Sequence, residues 1–193
     1  MKIIGVGCGP GMMTEEAIRA LSDARHIFGS RRAIDLAAAH IPPGCEVREI
    51  TAYNVLRSLP DDAFVLSTGD PMLAGLGYLG GEIIPGISSM QVAFARLGIP
   101  LARAAVVNAH GKDHAAAMDE AVFELGRGKI IFCIADPRFD IAELGARIQG
   151  AGIAVRIAVC ERLGYPDERI TTGTPAEPPG ADDELFALVI GDF

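Results

Sequence analysis

Residues 64–97 read FVLSTGDPMLAGLGYLGGEIIPGISSMQVAFARL, and this stretch decides the fold that we expect for the chain. An apolar strand at 64–66 runs into the turn-forming residues STGDP at 67–71. A second apolar run at 82–85 opens into PGISS at 85–89, where a helical pattern begins. In open α/β sheets, ligands bind outside the carboxyl ends of neighbouring strands. The stretch therefore predicts one edge of a ligand site.

The two turns have properties that suit the close approach of a ligand. Gly69 can adopt backbone angles barred to other residues, and Pro71 fixes φ near −65°. Asp70 can cap its own turn or accept hydrogen bonds from a ligand hydroxyl or amine. A serine at 88 that caps the next helix leaves N–H groups and hydroxyls at the helix mouth. Each turn alone is more typical of an ordinary tight turn and a capped helix, and the N-terminal stretch reverses that preference.

The N-terminal stretch has the same order of strand, glycine-rich turn and helix. Residues 2–6 form a buried-type strand, residues 5–11 read GVGCGPG, and Thr14 is the predicted N-cap of a helix. The glycine spacing does not match the G-x-G-x-x-G dinucleotide fingerprint, and no Gly-Lys-Ser/Thr of a Walker motif occurs. The sequence therefore favours a ligand without phosphates that glycine backbone approaches closely.

Composition limits the classes of function. The 193 residues are 50% hydrophobic and carry a formal net charge of −8, which supplies a core and argues against a nucleic-acid surface. No apolar run reaches the roughly 18 to 20 residues of a membrane span, and Met1 leads directly into a strand, so we expect a soluble, cytoplasmic protein without a signal peptide. The cysteines are far apart and indicate neither a disulfide framework nor a zinc site. They are Cys8, Cys45, Cys133 and Cys160.

The pattern of strands and helices restarts after residue 109. Residues 104–109 are the predicted last strand of a first α/β domain, 1–109, and HGKDH at 110–114 opens a second, 110–193. The second domain is short, and we expect its sheet to be partly antiparallel. The predicted fold is therefore α/β, with two domains and a ligand cleft between them.

Six motifs together resemble a known family. The first three are GVGCGPG at 5–11 before the Thr-led helix, GDP at 69–71 and PGISS at 85–89. They resemble the three loops of the tetrapyrrole methylases, which are S-adenosylmethionine-dependent enzymes with two α/β domains. Three further motifs resemble one branch, the precorrin or cobalt-precorrin C5-methyltransferases of cobalamin biosynthesis; these are FARLGIP at 94–100, NAHG at 108–111 and ERLGYPDERI at 161–170.

The resemblance implies that S-adenosylmethionine binds folded in the cleft and is held largely by backbone. Matched motif by motif, it assigns cofactor contacts to Gly9, Pro10, Gly69, Asp70, Leu73, Ser88, Ser89 and, in the second domain, Ala135. These residue types suit the cofactor, because a cation with an apolar methyl group, an adenine and an amino-acid tail needs carbonyl and N–H groups rather than a phosphate nest.

The implied reaction is attack of a macrocycle carbon on the sulfonium methyl group. Alignment and exclusion of water supply most of the acceleration, so no activated Ser or Cys nucleophile is needed. If a proton must leave the macrocycle, His110 is the predicted base, because it follows a strand at the domain junction and can titrate near neutral pH. A histidine that only orders the junction is an equal alternative. A metal pair of His110 and His114 lacks a third ligand, so no metal is predicted.

The implied substrate is a corrin precursor with many carboxylates, with or without cobalt. The candidates to bind these carboxylates are Arg31, Arg32, Arg96, Arg103 and Lys112, each alternatively a solvated surface charge. The family also implies a homodimer. Because the chain ends at Phe193 without the decarboxylating C15-methyltransferase module of some relatives, a separate protein is expected for that step. Two alternatives stay open: a relative that methylates uroporphyrinogen III, a protein or RNA, and a non-catalytic nucleoside-binding module.

Overall fold

The chain forms two compact units in a computed structural model, which describes residues 1–111 and 113–193, with 53–55 as backbone only. The first unit is Met1–Ser89 and the second is Met90–Phe193. Each unit has its own sheet and its own apolar core. The predicted α/β class is confirmed.

Five parallel strands make the sheet of the first unit, in the order β3, β2, β4, β1, β5. Their ranges are β1 Lys2–Gly5, β2 His26–Gly29, β3 Glu46–Glu49, β4 Phe64–Ser67 and β5 Glu82–Ile84. The central strand β4 is buried along its whole length, as in parallel sheets covered on both faces, whereas the edge strand β3 is exposed. Because the strands share one direction, their carboxyl ends lie along one edge of the sheet.

Two short α-helices pack on this sheet, and a third helix begins at the end of the unit. They are α1 Glu15–Leu21, α2 Arg31–Ala37 and α3 Ser89–Leu97, with 3₁₀ helices at Ala38–His40, Tyr53–Ser58 and Leu76–Leu79. The predicted cap of α1 is confirmed, because the hydroxyl oxygen of Thr14 accepts the N–H of Ala17 at 3.1 Å. Ser30 caps α2 in the same way, 3.2 Å from the nitrogen of Ala33.

The sheet of the second unit is mixed, in the order β6, β7, β10, β8, β9. Its strands are β6 Ala104–Asn108, β7 Ile130–Ile134, β8 Arg156–Glu161, β9 Arg169–Gly173 and β10 Phe186–Gly191. The β6–β7 pair is parallel, whereas β10 inserts between β7 and β8 in the opposite direction, so the expected partly antiparallel sheet is confirmed. The α-helices of this unit after α3 are α4 His114–Gly126 and α5 Ile141–Gly150.

The strand at 104–108 corrects the predicted division of the chain. We expected it to close the first domain, but it pairs in parallel with β7, Val106 opposite Phe132, and thus belongs to the second sheet. The division by contacts falls at Ser89 and Met90, about one helix earlier than the predicted boundary at 109 and 110. An apolar strand pattern shows that a strand exists but not which sheet it joins.

Within residues 1–111 and 113–193, no helix combines the length and the apolar character that crossing a membrane requires.

Candidate active site

The first two glycine-rich loops of the first unit are joined directly at the carboxyl edge of the sheet. Gly69, which follows β4, donates its N–H to the carbonyl oxygen of Gly7 at 2.8 Å, and Gly7 donates back to Gly69 at 3.3 Å. Gly7 follows β1, the neighbour of β4 in the sheet. This antiparallel bridge fixes the position of one loop relative to the other before any ligand binds.

The third loop approaches the same point so closely that only glycine fits. A Cβ atom placed on Gly5 would lie 2.5 Å from the nitrogen of Gly86, and one on Gly86 would overlap the carbonyl oxygen of Gly69. Thr14 adds a further link, since its hydroxyl donates to the carbonyl oxygen of Pro85 at 3.4 Å. The three loops predicted from the sequence therefore meet in one place, and the absence of side chains at these glycines is what allows it.

Gly69 itself is open on its other side. Its φ of 68° is in the left-handed region, and the nearest atom to a Cβ placed there is the Cα of Ser88, at 3.8 Å. A ligand can therefore lie against the backbone at Gly69, with the buried Ser88 beside it.

Asp70 ties the second loop to the third. One carboxylate oxygen accepts the N–H of Met72 at 2.8 Å, and the other accepts the N–H of Gly86 at 3.1 Å. Asp70 thus caps its own turn, as the sequence predicts, and also bridges to a residue sixteen positions away, which local pattern did not reveal. A carboxylate has about four lone-pair sites, so a ligand donor can still bind to the partly exposed Asp70.

The chain after Asp70 curls back on itself. The hydroxyl oxygen of the buried Ser67 accepts the N–H of Leu76 at 3.2 Å, and the carbonyl oxygen of Pro71 accepts the N–H of Gly77 at 2.9 Å. Leu73, half-buried in this curl, donates its N–H to the carbonyl oxygen of Asp70 at 3.1 Å. The curl thus holds Leu73 beside the second loop.

The predicted cofactor residues of the first unit thus belong to loops that are linked to one another. Gly9 is buried and Pro10 is exposed in the first loop, whereas Ser88 is buried and Ser89 is partly buried in the third. Ala135, the candidate in the second unit, is 6% exposed and directly follows β7.

The parallel pair of strands in the second unit ends in a different kind of site. His110, the predicted base, follows β6 and is exposed, and its backbone N–H donates to the side-chain oxygen of Asn108 at 3.1 Å. The N–H of the next residue, Gly111, donates to a carboxylate oxygen of Asp136 at 3.2 Å. Asp136 follows β7, so the two adjacent strand ends are connected through this carboxylate.

His114 is held by the same buried carboxylate. Its Nε2 lies 3.1 Å from Oδ2 of Asp136, and its ring meets that of Phe139 edge-on, with centroids 5.2 Å apart. The pKa of Asp136 lies well below its ordinary range, because the N–H groups of Arg138 and Gly111 and the ring of His114 stabilise the charged form more than burial disfavours it. The sequence analysis missed this pair, although an aspartate directly after a strand was an available signal.

A metal site at His110 and His114 receives no support. In the described part of the chain, no group of three or more His, Cys, Asp or Glu side chains is arranged to hold a metal ion. His114 is instead engaged with Asp136.

The predicted carboxylate-binding cations have different surroundings. Arg31 pairs with Glu49 at 3.0 Å, Arg96 with Glu168 at 2.7 Å, and Arg103 donates to the carbonyl oxygen of Asp192 at 3.4 Å. The Nε of Arg32 is buried without a hydrogen-bond partner among residues 1–111 and 113–193. Lys112 lies outside the described residues.

The motif ERLGYPDERI at 161–170 builds a structural network. Glu161, 2% exposed, accepts the N–H groups of Asp182 and Asp183 at 2.6 and 2.8 Å and pairs with Arg169. Glu168 accepts the N–H of Gly164 at 2.7 Å through the oxygen that does not face Arg96. These contacts all join parts of the second unit, so the motif stabilises this unit.

The thiols have no environment that would activate a nucleophile. All four cysteines are free, and burial raises the pKa of Cys133 and of Cys160 to about 12. This agrees with the expectation that the cysteines are mostly buried small hydrophobes.

A comparison of the sequence with protein families decides the family. The sequence profile of the tetrapyrrole (corrin/porphyrin) methylases matches residues 2–179, which is most of the chain. The chain belongs to the tetrapyrrole methylase family. The resemblance found in the glycine-rich loops is thereby confirmed.

Among curated proteins, this tetrapyrrole methylase is 26% identical to the cobalt-precorrin-7 C(5)-methyltransferase of Salmonella typhimurium, an alignment that covers 100% of this chain and 98% of that protein. It is 30% identical over 189 residues to the decarboxylating precorrin-6Y C(5,15)-methyltransferase of a Sinorhizobium species. That match covers 89% of this chain but only 44% of the relative, so the chain spans less than half of that protein.

Among solved structures, this methylase resembles the cobalamin biosynthesis precorrin-6Y methylase of Archaeoglobus fulgidus. The two share 28% identity at a TM-score of 0.77, covering 100% of this chain and 97% of that one. The uroporphyrin-III C-methyltransferase of Thermus thermophilus, solved with S-adenosylhomocysteine, shares the fold at 18% identity and a TM-score of 0.69, covering 98% of this chain and 96% of that one.

Proposed function

We propose that this tetrapyrrole methylase transfers a methyl group from S-adenosylmethionine to C5 of a precorrin or cobalt-precorrin in cobalamin biosynthesis. The observation that carries the proposal is the convergence of three glycine-rich loops at Gly5, Gly69 and Gly86, on the carboxyl edge of a parallel sheet. The names of the Salmonella and Archaeoglobus relatives, which align over nearly their whole length, support the choice of substrate.

The first-unit edge fits the cofactor by the chemistry of its donor set. The backbone at Gly69 is open to a ligand, and neighbouring carbonyl, N–H and hydroxyl groups serve polar atoms of the ligand without a cluster of cations. The residues that would hold the cofactor are Gly9, Pro10, Gly69, Asp70, Leu73, Ser88 and Ser89. Asp70 adds a negative charge, which favours a cationic ligand over a phosphate. Ala135 stays a prediction based on the family resemblance.

When bound, the cofactor supplies a methyl group that already carries a good leaving group. The task of the chain is therefore to position and to exclude water rather than to activate a nucleophile. The bridge between Gly7 and Gly69 and the link from Asp70 to Gly86 fix the loops in advance, which lowers the cost of ordering them on binding.

Arg32 is the strongest of the predicted contacts to a substrate carboxylate. Arg31 and Arg96 face carboxylates of this chain, whereas the Nε of Arg32 is a buried donor without a partner in the described residues. A buried donor without an acceptor is costly, and a substrate carboxylate would satisfy it. The homodimer, the cytoplasmic location and a separate C15-methyltransferase partner stay predictions from the family resemblance.

The proposal is tested first by calorimetric titration with S-adenosylhomocysteine, the demethylated product. We expect micromolar binding, and a thermal-shift measurement checks the result because a binding enthalpy can be near zero. Incubation with a cobalt-precorrin substrate and labelled S-adenosylmethionine should then give a product with the label at C5. Binding without transfer to any tetrapyrrole would favour the non-catalytic alternative, and label at another carbon would overturn the assignment to C5.

The role of Arg32 is tested in the same assay by Arg32→Lys, with Arg31→Lys as a matched control. Lysine keeps the charge but loses the planar fork, so we expect KM for the tetrapyrrole to rise about tenfold in the first variant, and by less than about twofold in the second. The affinity for S-adenosylhomocysteine should stay unchanged in both. Equal KM values for the two variants would remove Arg32 from the substrate site.

A further inference from the structure

The second unit contains a histidine and aspartate pair in the arrangement that prepares an imidazole to accept a proton. Asp136 is 5% exposed and is followed along the chain by Arg138 and Phe139, while His114 is the first residue of α4. The side chain of His114 keeps 23% of its surface exposed, so its ring is accessible at one side. The two residues are joined at 3.1 Å.

The ionised carboxylate determines which ring nitrogen carries the proton. An ionised Asp136 has no hydrogen to donate, so the contact at 3.1 Å requires the Nε2–H of His114 to be the donor. In the neutral ring this leaves Nδ1 with its lone pair free to accept a proton. The imidazolium that would then form is stabilised by the carboxylate on Nε2.

Three contacts fix the position of this ring. The side chain of Asp113 caps α4 by accepting the N–H groups of Ala115 and Ala116, which sets the backbone at His114. Asp136 holds Nε2, and Phe139 packs against the ring. By contrast, no described contact holds the exposed side chain of His110, whose turn is fixed only through its backbone N–H.

We propose that His114, oriented by Asp136, is the general base of the methyl transfer, in place of His110. The inference rests on the proposed function. Methylation replaces a hydrogen on the macrocycle carbon. The new C–CH₃ bond forms as the S–CH₃ bond breaks with its electron pair left on sulfur, and the C–H electron pair then returns to the macrocycle while its proton passes to Nδ1 of His114.

The tautomer can be measured without turnover. In a two-dimensional ¹H–¹⁵N spectrum of the intact protein at neutral pH or above, the neutral His114 ring should show a protonated Nε2 and an unprotonated Nδ1. Asp136→Asn should reduce this preference, because a neutral amide is a weaker acceptor. A ring protonated on Nδ1 in the parent protein would overturn the proposal.

The decisive variant is His114→Gln, because the glutamine amide can still donate to Asp136 but cannot accept the proton. We expect a single-turnover rate at least about 100-fold below that of the parent, with the affinity for S-adenosylhomocysteine within about threefold. His110→Gln is the matched control and should keep the parental rate within about threefold. If His114 were only structural, glutamine would preserve the rate, and that result would overturn the proposal.

The pH profile gives a second readout. The charged groups that face the pair are Asp136 itself, Arg138, whose Nε lies 3.7 Å from the carboxylate, and the capping Asp113. The parental rate should fall on the acid side as the imidazole becomes protonated, and His114→Gln should lose this inflection. An inflection lost in His110→Gln instead would return the role to His110. A parent protein that transfers no methyl group at all would count against the proposed function, whereas the measured tautomer would still report on the pair.

Discussion

The carboxyl ends of the strands carry polar groups in both units, but of two different kinds. In the first unit the edge is built from backbone, where Gly5, Gly69 and Gly86 approach too closely for any side chain. In the second unit the edge is built from side chains, where Asp136 gathers the N–H of Gly111 and the ring of His114. The difference indicates a division of labour between holding a ligand by shape and handling a proton by charge.

This division makes the backbone edge sensitive to size and the side-chain edge sensitive to charge. Adding one methyl group should damage the first unit, and removing one charge should damage the second. The expected effects differ in size, because a steric clash with backbone cannot relax, whereas a carboxylate surrounded by several donors loses only part of its network when it is neutralised.

The largest effect is expected for Gly86→Ala. The new methyl group would overlap the carbonyl oxygen of Gly69, so the free energy of unfolding should fall by about 1 to 3 kcal/mol, and binding of S-adenosylhomocysteine should weaken more than tenfold. Gly150→Ala is the control, because a Cβ there meets no atom within 4 Å. Urea denaturation and calorimetry measure the two quantities. Parental values in Gly86→Ala would show that the loops can separate.

A smaller effect is expected for Asp70→Asn. The amide keeps one acceptor oxygen, so the contact to either Met72 or Gly86 is lost, which should cost about 1 kcal/mol of unfolding free energy. Affinity for S-adenosylhomocysteine should fall about three- to tenfold if Asp70 also faces the cofactor. Asp62→Asn removes the same charge from an exposed turn and should change neither value. Weakened stability with parental affinity would limit Asp70 to tying the loops.

The smallest effect is expected in the acid stability of the second unit. The folded pKa of Asp136 lies below its unfolded value of about 3.9, so its contribution is present above that pH and is lost as the pH falls further. Asp136→Asn should therefore lower stability at pH 7 and flatten its decrease between about pH 5 and 3. Urea denaturation across this range is the measurement, with the exposed Asp23→Asn as control. An unchanged slope in Asp136→Asn would mean that the carboxylate is not stabilised by folding.

Local sequence was sufficient for much of the first unit. Thr14 was predicted to cap α1 from its position before an amphipathic run, and the structure has that hydrogen bond. The glycine-rich loops were placed at the ends of β1, β4 and β5, where they are observed. Both are short-range properties, because a cap needs only three residues and a turn needs only a few backbone angles.

The sequence by itself determined the elements, the glycine-rich loops and the family, since each is written in a short stretch of residues. Only the tertiary structure decided that the strand at 104–108 joins β7, that Asp70 reaches Gly86, and that Asp136 holds His114, which is 22 positions away. The physical reason is that strand pairing and buried charge depend on which distant groups become neighbours once the core has formed. A local pattern carries no record of that choice.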